Sequence, residues 1–277
     1  MDYSHLEYDG NDIFLADIKH FDPSQILDCG QCFRWAGSGG AYAGIAHGRR
    51  LELYLRDDGL ILKNVSPSEF DAVWKDYFDL GRDYGELRLL FSEDEALRRA
   101  AEFSPGLRIM RQEPWETLIT FILSQNSNIP RIKGMVARLC ENFGETLSGG
   151  DFAFPGPERL ASLTEDSLAP VRCGYRAAYI IDAAQRASDG RLRLGALHKL
   201  DSENARRELV QIHGVGPKVA ECALLYGFGR VERYPLDVWM KRVMASLYPD
   251  GFPEELSDVA GIAQQFLFHY ARTIKLK

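Results

Sequence analysis

Apolar and polar residues alternate strictly over one stretch of this chain and then change rhythm. Leu51, Leu53 and Leu55 interleave with Glu52, Tyr54 and Arg56, the period of two that a half-buried strand requires. Asp57, Asp58 and Gly59 follow as a turn, and Leu60, Ile61 and Leu62 begin the next run, so this segment predicts a β-hairpin. The small-residue stretch from Ala41 to Ala46 lies just before it. Ser66, Pro67 and Ser68 form a helix start ahead of residues 69–77. From about residue 108 the pattern is helical. Helices are predicted over 114–123, 132–143, 174–188, 203–212, 217–226, 238–248 and 256–273, joined by short Gly- and Pro-rich connections. The expected fold class is α+β, with an N-terminal α+β domain over residues 1–105 and an all-helical domain over 106–277.

Composition narrows the picture. With 277 residues, 45% of them hydrophobic, and with 15 Phe, 12 Tyr and 4 Trp, the chain is globular rather than disordered. No run of about 18 apolar residues suggests a membrane span. The first residues lack the basic-then-apolar form of a signal peptide. The five cysteines are sparse and odd in number, which fits a reduced compartment. A cytoplasmic protein is expected. Cys29 and Cys32 form a C-x-x-C, but no second pair or His cluster completes a zinc site, so no metal is expected there.

The formal charge of −7 argues, taken alone, against a polyanionic partner. The average conceals an asymmetry. Residues 1–100 hold 19 acidic and 11 basic side chains, whereas residues 101–277 hold 21 acidic and 22 basic. A local cationic face therefore remains open to the later residues.

The most informative stretch is Ile212-His213-Gly214-Val215-Gly216-Pro217-Lys218. It joins two predicted helices through a turn with two glycines, and Pro217 suits the first turn of the second helix. Such a turn presents unpaired backbone N–H groups at a helix N-terminus, where an anion can sit without many Lys and Arg. The same pattern also suits an ordinary tight turn between helices. Lys218 falls in the first turn, where the macrodipole disfavours an ammonium and so favours the neutral, nucleophilic amine. A surface lysine pointing to solvent is the alternative. Asp237, after Pro235 and Leu236, is an N-cap for the next helix. A carboxylate fixed near a nucleophilic amine suits a cationic transition state such as that of glycosidic cleavage.

With these residues on the page, the chain resembles the helix–hairpin–helix, Gly/Pro-Asp superfamily of DNA glycosylases. Further segments narrow the resemblance to its 8-oxoguanine DNA glycosylase/AP lyases. They are Gly30-Gln31-Cys32-Phe33-Arg34-Trp35, Ser124-Gln125-Asn126-Ser127-Asn128-Ile129-Pro130-Arg131-Ile132 and Gly174-Tyr175-Arg176-Ala177. The matches run in order from about residue 28 to about 268. No C-terminal set of four cysteines is present, which sets the chain apart from the iron–sulfur relatives. Alkylation-repair relatives do not use a lysine at the hairpin. The chain looks like a compact bacterial-type member.

The resemblance implies a twisted antiparallel sheet like that of the TATA-binding protein in the first domain, and a helical glycosylase domain after it. It implies that Lys218 attacks C1′ of a flipped-out damaged nucleotide, forming a Schiff base that permits β-elimination, with Asp237 in support. It implies that the carbonyl of Gly30 accepts the N7–H that distinguishes 8-oxoguanine from guanine, and that Pro235 lies beside the base. It gives base-binding roles to Gln264, Phe268 and Cys222. The spacing agrees: Lys218 and Cys222 are i, i+4 on one helix, as are Gln264 and Phe268 on another, and opposed faces would make a slot. Cys222 and Phe268 also suit plain core. Asn126, Arg131, Tyr175 and Arg176 are implied to fill the gap left by the flipped base and to hold the orphaned cytosine. Read without the resemblance, Asn126 suits a cap and the arginines suit solvated surface. Gly214 and Gly216 are implied to face the DNA backbone. The partner is double-stranded DNA containing oxidised guanine, bound by a monomer. No cofactor is required, although hairpin carbonyls of this family can hold a cation. DNA is expected on the helical domain, with only the stretch around Gly30 contributed by the acidic one. Two departures stand out: Trp239, where animal members carry a histidine, and the bulky Tyr226 one turn beyond Cys222.

Overall fold

The computed structural model describes residues 2–276. Its six strands are β1 (His5–Asp9), β2 (Asp12–Ala16), β3 (Trp35–Ser38), β4 (Ala41–Ala46), β5 (Arg49–Arg56) and β6 (Gly59–Lys63). They form one antiparallel sheet in the order β1-β2-β6-β5-β4-β3. The alternation predicted for β5 holds. Leu53 pairs with Leu62, and Leu55 with Leu60, across the β5–β6 hairpin, and Ile13 and Leu15 of β2 register against Leu62 and Leu60. Ile13, Leu15, Leu51, Leu53, Leu60 and Leu62 are all buried, one apolar set on one side of the pleat.

Residues 67–77 form one helical run, but Phe70–Trp74 within it is π-helical. The wider turn carries Phe70 and Trp74 into the interior, where Trp74 meets Phe78 and Tyr77. Trp35 joins this aromatic cluster and donates its Nε1–H to Tyr77 Oη at 2.8 Å.

The chain divides into two compact units, and the division is not the expected one at residue 105. The first unit is Met1–Gly44, Leu51–Arg111 and Val231–Lys277; the second is Ile45–Arg50 and Gln112–Arg230. The last forty-odd residues return to the first unit because their long helix, Ala260–Ile274, is apolar along most of its length and has its partners there. Phe266 meets Phe91 edge-on at 5.6 Å, and Tyr248 donates to Asp94 at 2.7 Å. Sequence order conceals this, because the texture of these helices is the same as that of the others.

The first unit is organised around a buried guanidinium. Arg108 is wholly inaccessible. Its Nε donates to Phe78 O at 3.2 Å, and its Nη1 to Asp2 Oδ2 at 2.8 Å and His20 O at 3.2 Å. Its Nη2 donates to Asp79 O at 2.8 Å and Arg82 O at 3.1 Å, and the plane lies 4.0 Å from the Tyr84 ring centroid. All five N–H bonds are thus used.

The second unit is helical over Gln112–Arg230 apart from its connections and one isolated bridge between Thr146 and Phe152, and it also takes in Ile45–Arg50 at the β4–β5 turn. Its helices Pro114–Ser124 and Pro217–Phe228 are each buried over most of their length. Tyr226 stacks on Phe121 with ring centroids 5.3 Å apart and planes at 10°. That contact accounts for the large residue beyond Cys222: it fills the space between these two helices.

Asp2→Ala should leave Arg108 charged, buried and without a counter-ion, at a cost of about 3–5 kcal/mol in urea denaturation. A loss below about 1 kcal/mol would show that the pair is not what closes this unit.

Candidate nucleic-acid and base-recognition site

The predicted residues fall in both units. In the second unit, Ser202–Leu209 ends and Pro217–Phe228 begins across the glycine turn. Ile212 N–H donates to Leu209 O at 3.2 Å and Val215 N–H to Ile212 O at 3.0 Å, so the turn folds on its own backbone. Gly214 has φ +77°, and a Cβ there would lie 2.3 Å from the Tyr179 ring, so both conformation and space require glycine. Asp182 locks the turn from outside by accepting the His213 N–H at 2.8 Å while binding Arg186 at 2.7 Å. Burial works against the charge on Asp182, but these donors hold its carboxyl below the usual range.

Gly216 is the N-cap of the second helix and offers no side chain for capping. The first-turn amides of Lys218 and Val219 therefore lack intrahelical acceptors, as any first turn does, and point outward at the positive end of the helix. This is an anion-binding geometry that uses no cationic side chain.

Lys218 is the second residue of that helix and is half-buried. Its Nζ donates to Ser124 Oγ at 3.3 Å and stands 5.0 Å from the centroid of the Phe121 ring. Among the described residues it pairs with no carboxylate. Cys222, one turn on, is buried. Ser124 and Phe121 were not singled out from the sequence, although Ser124 opens one of the quoted motifs. What brings them to Lys218 is the pairing of two helices distant in sequence.

Asn126 sits in the left-handed region at φ +47° and donates to Tyr175 Oη at 3.1 Å. It is not a cap; Asn128 caps the Ile129–Phe143 helix by accepting the Arg131 N–H at 3.0 Å. Arg131 is exposed and its guanidinium has no protein partner among the described residues. Arg176 departs from both readings of it. It is 2% exposed, and its guanidinium donates to Gln125 O, Cys173 O and Asn126 O while lying 4.6 Å from the Tyr175 ring. Its donors are committed to the carbonyls of the Asn126 loop, so it shapes that loop instead of standing free. Tyr175 itself is half exposed.

The first unit holds the other set. Asp237 is the N-cap of Val238–Leu247, as expected, its Oδ1 accepting the Met240 N–H at 2.8 Å. Oδ2 has no protein donor among the described residues. Pro235 is buried just before it. Trp239, the departure from animal members, lies under the Arg242 guanidinium at 4.7 Å.

Gly30 takes φ +100° at the tip of a short arch. Its neighbours Cys29, Gln31 and Cys32 are buried whereas Gly30 is half-exposed. The Cys29 and Cys32 thiols donate to Ile26 O and Leu27 O, and burial pushes the Cys29 thiol up to about 11. Both cysteines are free thiols acting as arch supports.

On the Ala260–Ile274 helix, Gln264 is 3% exposed, yet its Oε1 has no hydrogen-bond partner among the described residues. A buried acceptor left open costs about 1–3 kcal/mol, so a donor brought to this amide would be bound favourably. Phe268, one turn on, is half-buried, with the Arg272 guanidinium 5.6 Å from its ring. Arg272 also donates to Asp28 O at 3.3 Å, so one side chain borders both the ring and the base of the Gly30 arch.

Residues 13–118 match the model of the 8-oxoguanine DNA glycosylase N-terminal domain. Residues 119–254 match that of HhH-GPD superfamily base excision DNA repair proteins. The N-glycosylase/DNA lyase of Saccharomyces cerevisiae is 40% identical over 159 residues, covering 52% of this chain but only 42% of that protein. The chain thus spans less than half of that relative's length. The N-glycosylase/DNA lyase of Arabidopsis thaliana is 30% identical over 271 residues, covering 86% of this chain and 74% of its own. The 8-oxoguanine glycosylase/lyase of Clostridium acetobutylicum has been solved with double-stranded DNA containing cytosine opposite 8-oxoguanine. It superposes with a TM-score of 0.94 at 36% identity, covering 99% of this chain and 100% of that one.

Two stability measurements check the hairpin. Gly214→Ala should cost about 1–3 kcal/mol from strain and overlap with Tyr179. Because the Asp182 carboxyl is held below its unfolded value of about 3.9, its contribution is present above that pH and lost as pH falls through the folded value. Asp182→Asn should therefore destabilise at neutral pH and converge with the parent in acid; a constant gap would refute the ionised clamp.

Proposed function

The chain belongs to the 8-oxoguanine DNA glycosylase/lyase family within the HhH-GPD superfamily of base excision repair proteins, and on that premise we propose how its residues act. It excises 8-oxoguanine from duplex DNA and then cleaves the strand. The observation that carries this reading is the Lys218 amine. It sits half-buried in the first turn of a helix beside the glycine turn, donating to the Ser124 hydroxyl and standing 5.0 Å from the Phe121 ring, and among the described residues it forms no ion pair that would tie it up.

In this reading the duplex lies along the outward amides around Gly214, Gly216 and Lys218, and the damaged nucleotide is turned out of the stack. The neutral Nζ attacks C1′ as the bond from C1′ to the base N9 breaks, and the base leaves with a proton. The lone pair left on Nζ then breaks the C1′–O4′ bond, O4′ takes up a proton, and a protonated Schiff base forms between Nζ and C1′ that can accept the electron pair released from C2′–H. Loss of a C2′ proton then expels the 3′ phosphate. Asp237 supports the first step by placing its free Oδ2 against the positive charge that grows at the sugar. No cofactor enters these steps.

Recognition of the base rests on the first unit's residues. The Gly30 carbonyl accepts the N7–H of the oxidised base and repels the N7 lone pair of normal guanine. The open Gln264 Oε1 takes a donor from the base's Watson–Crick edge, Phe268 stacks on its face, and Pro235 lies beside it. Arg131 keeps free donors for an orphaned cytosine. Tyr175 and Asn126 enter the gap, and Arg176 holds them in place through the carbonyls it binds.

Borohydride added during reaction with a duplex holding 8-oxoguanine opposite cytosine should trap a covalent adduct. Lys218→Gln should form none. Absence of an adduct in the parent, or its persistence in the variant, would overturn the lysine mechanism and favour a non-catalytic DNA-binding module. Rates on the lesion opposite each of the four bases test Arg131: the parent should favour cytosine, and Arg131→Ala should flatten that preference by about five- to tenfold. An unchanged ranking would remove Arg131 from cytosine recognition.

A further inference from the structure

A carbonyl can discriminate between two bases only if it cannot turn away from the wrong one. Glycine supplies no such restraint, since it is the residue with the freest backbone. The carbonyl of residue 30 shares a planar peptide unit with the nitrogen and Cα of residue 31. Whatever fixes residue 31 therefore limits where the Gly30 oxygen can point.

Gln31 is fixed more firmly than any other polar residue near the arch. It is 0% exposed, and it is an uncharged amide among apolar neighbours. Its Nε2 donates to Ile26 O at 3.0 Å and to Arg108 O at 2.8 Å, and its Oε1 accepts the Met110 N–H at 2.9 Å. Two of these three bonds reach a segment almost eighty residues away in sequence. That segment is itself immobilised, because the Arg108 side chain is bound on all five of its N–H groups. The other bond returns to Ile26, whose carbonyl also accepts the Cys29 thiol at 3.2 Å. Gln31 thus ties the arch both to the short helix Pro23–Leu27 before it and to the Arg108–Met110 segment, while Gly30 stays half-exposed at the tip.

We propose that Gln31 is a positioning residue for base discrimination: its amide transmits the rigidity of the Arg108–Met110 segment to the Gly30 carbonyl and so makes that carbonyl selective. This rests on the reading of Gly30 given above. Gln31 touches no base. It acts by denying the Gly30–Gln31 peptide the rotation that would let it accommodate guanine.

The test uses binding in a Lys218→Gln background, so that no base is released. Affinity is measured for duplexes carrying, opposite cytosine, 8-oxoguanine, guanine or a tetrahydrofuran abasic analogue. Gln31→Met keeps the length and burial of the side chain and removes its hydrogen bonds. It should narrow the preference for 8-oxoguanine over guanine by about tenfold, the scale of one aimed hydrogen bond, and leave abasic binding within twofold. An unchanged preference, or equal weakening on all three duplexes, would overturn the proposal. A fourth duplex holds the 8-oxo base with carbon in place of N7. If the background protein binds it as tightly as 8-oxoguanine, the Gly30 reading itself falls. If the background protein rejects it and Gln31→Met rejects it equally, only the Gln31 proposal falls. Should Gln31→Met not fold, Gln31→Glu keeps the acceptor for Met110 and regains a donor only when protonated. Its preference should then rise as pH falls, against a flat background profile, and a flat profile in the variant would overturn the proposal.

Discussion

A guanidinium taken wholly out of water needs an acceptor for every N–H, and satisfying Arg108 draws in three stretches of chain that are far apart in sequence. Asp2 brings the start of the chain, His20 the approach to the Gly30 arch, and Phe78, Asp79 and Arg82 the end of the aromatic helical run. The backbone of the same residue then receives Gln31. A hydrophobic side chain at position 108 would pack, but it would not dictate direction. Five directional bonds do, and the first unit gains a fixed point from which the arch is hung.

The second unit meets a similar demand in another way. Its hairpin has no room for a side chain at Gly214 and takes its rigidity from outside the turn. The Tyr179 ring lies against Gly214, and the Asp182 carboxylate holds the next amide back. Arg176 repeats the device beside Asn126, binding the carbonyls of a loop whose backbone is left-handed at a non-glycine residue. In each unit a charged side chain, Arg108 in the first and Asp182 and Arg176 in the second, is bound to backbone groups and holds a turn or loop in shape.

This arrangement bears on the net charge of −7. Many acidic residues are spent on internal work: Asp2 on Arg108, Asp79 on Arg82 and Arg111, Asp182 on the hairpin, Asp237 on a helix cap. Several arginines are likewise internal. A formal sum over side chains therefore says little about the surface offered to a phosphate backbone, which the amides of one turn can meet.

Local rules made much of the protein readable in one dimension. The β5–β6 hairpin, the glycine turn, the Pro217 start and the Asp237 cap follow from conformational preferences that act over a few residues, and the sequence alone determined them. Lys218 stands out by the same kind of local rule, since a lysine in a first turn runs against the helix macrodipole, and it does lie in the first turn of Pro217–Phe228. What only the tertiary structure decided are the matters that need distant partners. The return of Ala260–Ile274 to the first unit, the stacking of Tyr226 on Phe121, the burial of Arg176 and the grip of Gln31 on Arg108 and Met110 all depend on which surfaces meet. Apolar periodicity says that a face will be covered but not by what. A polar residue in a motif gives no sign of whether its bonds go to a ligand or to carbonyls eighty residues away.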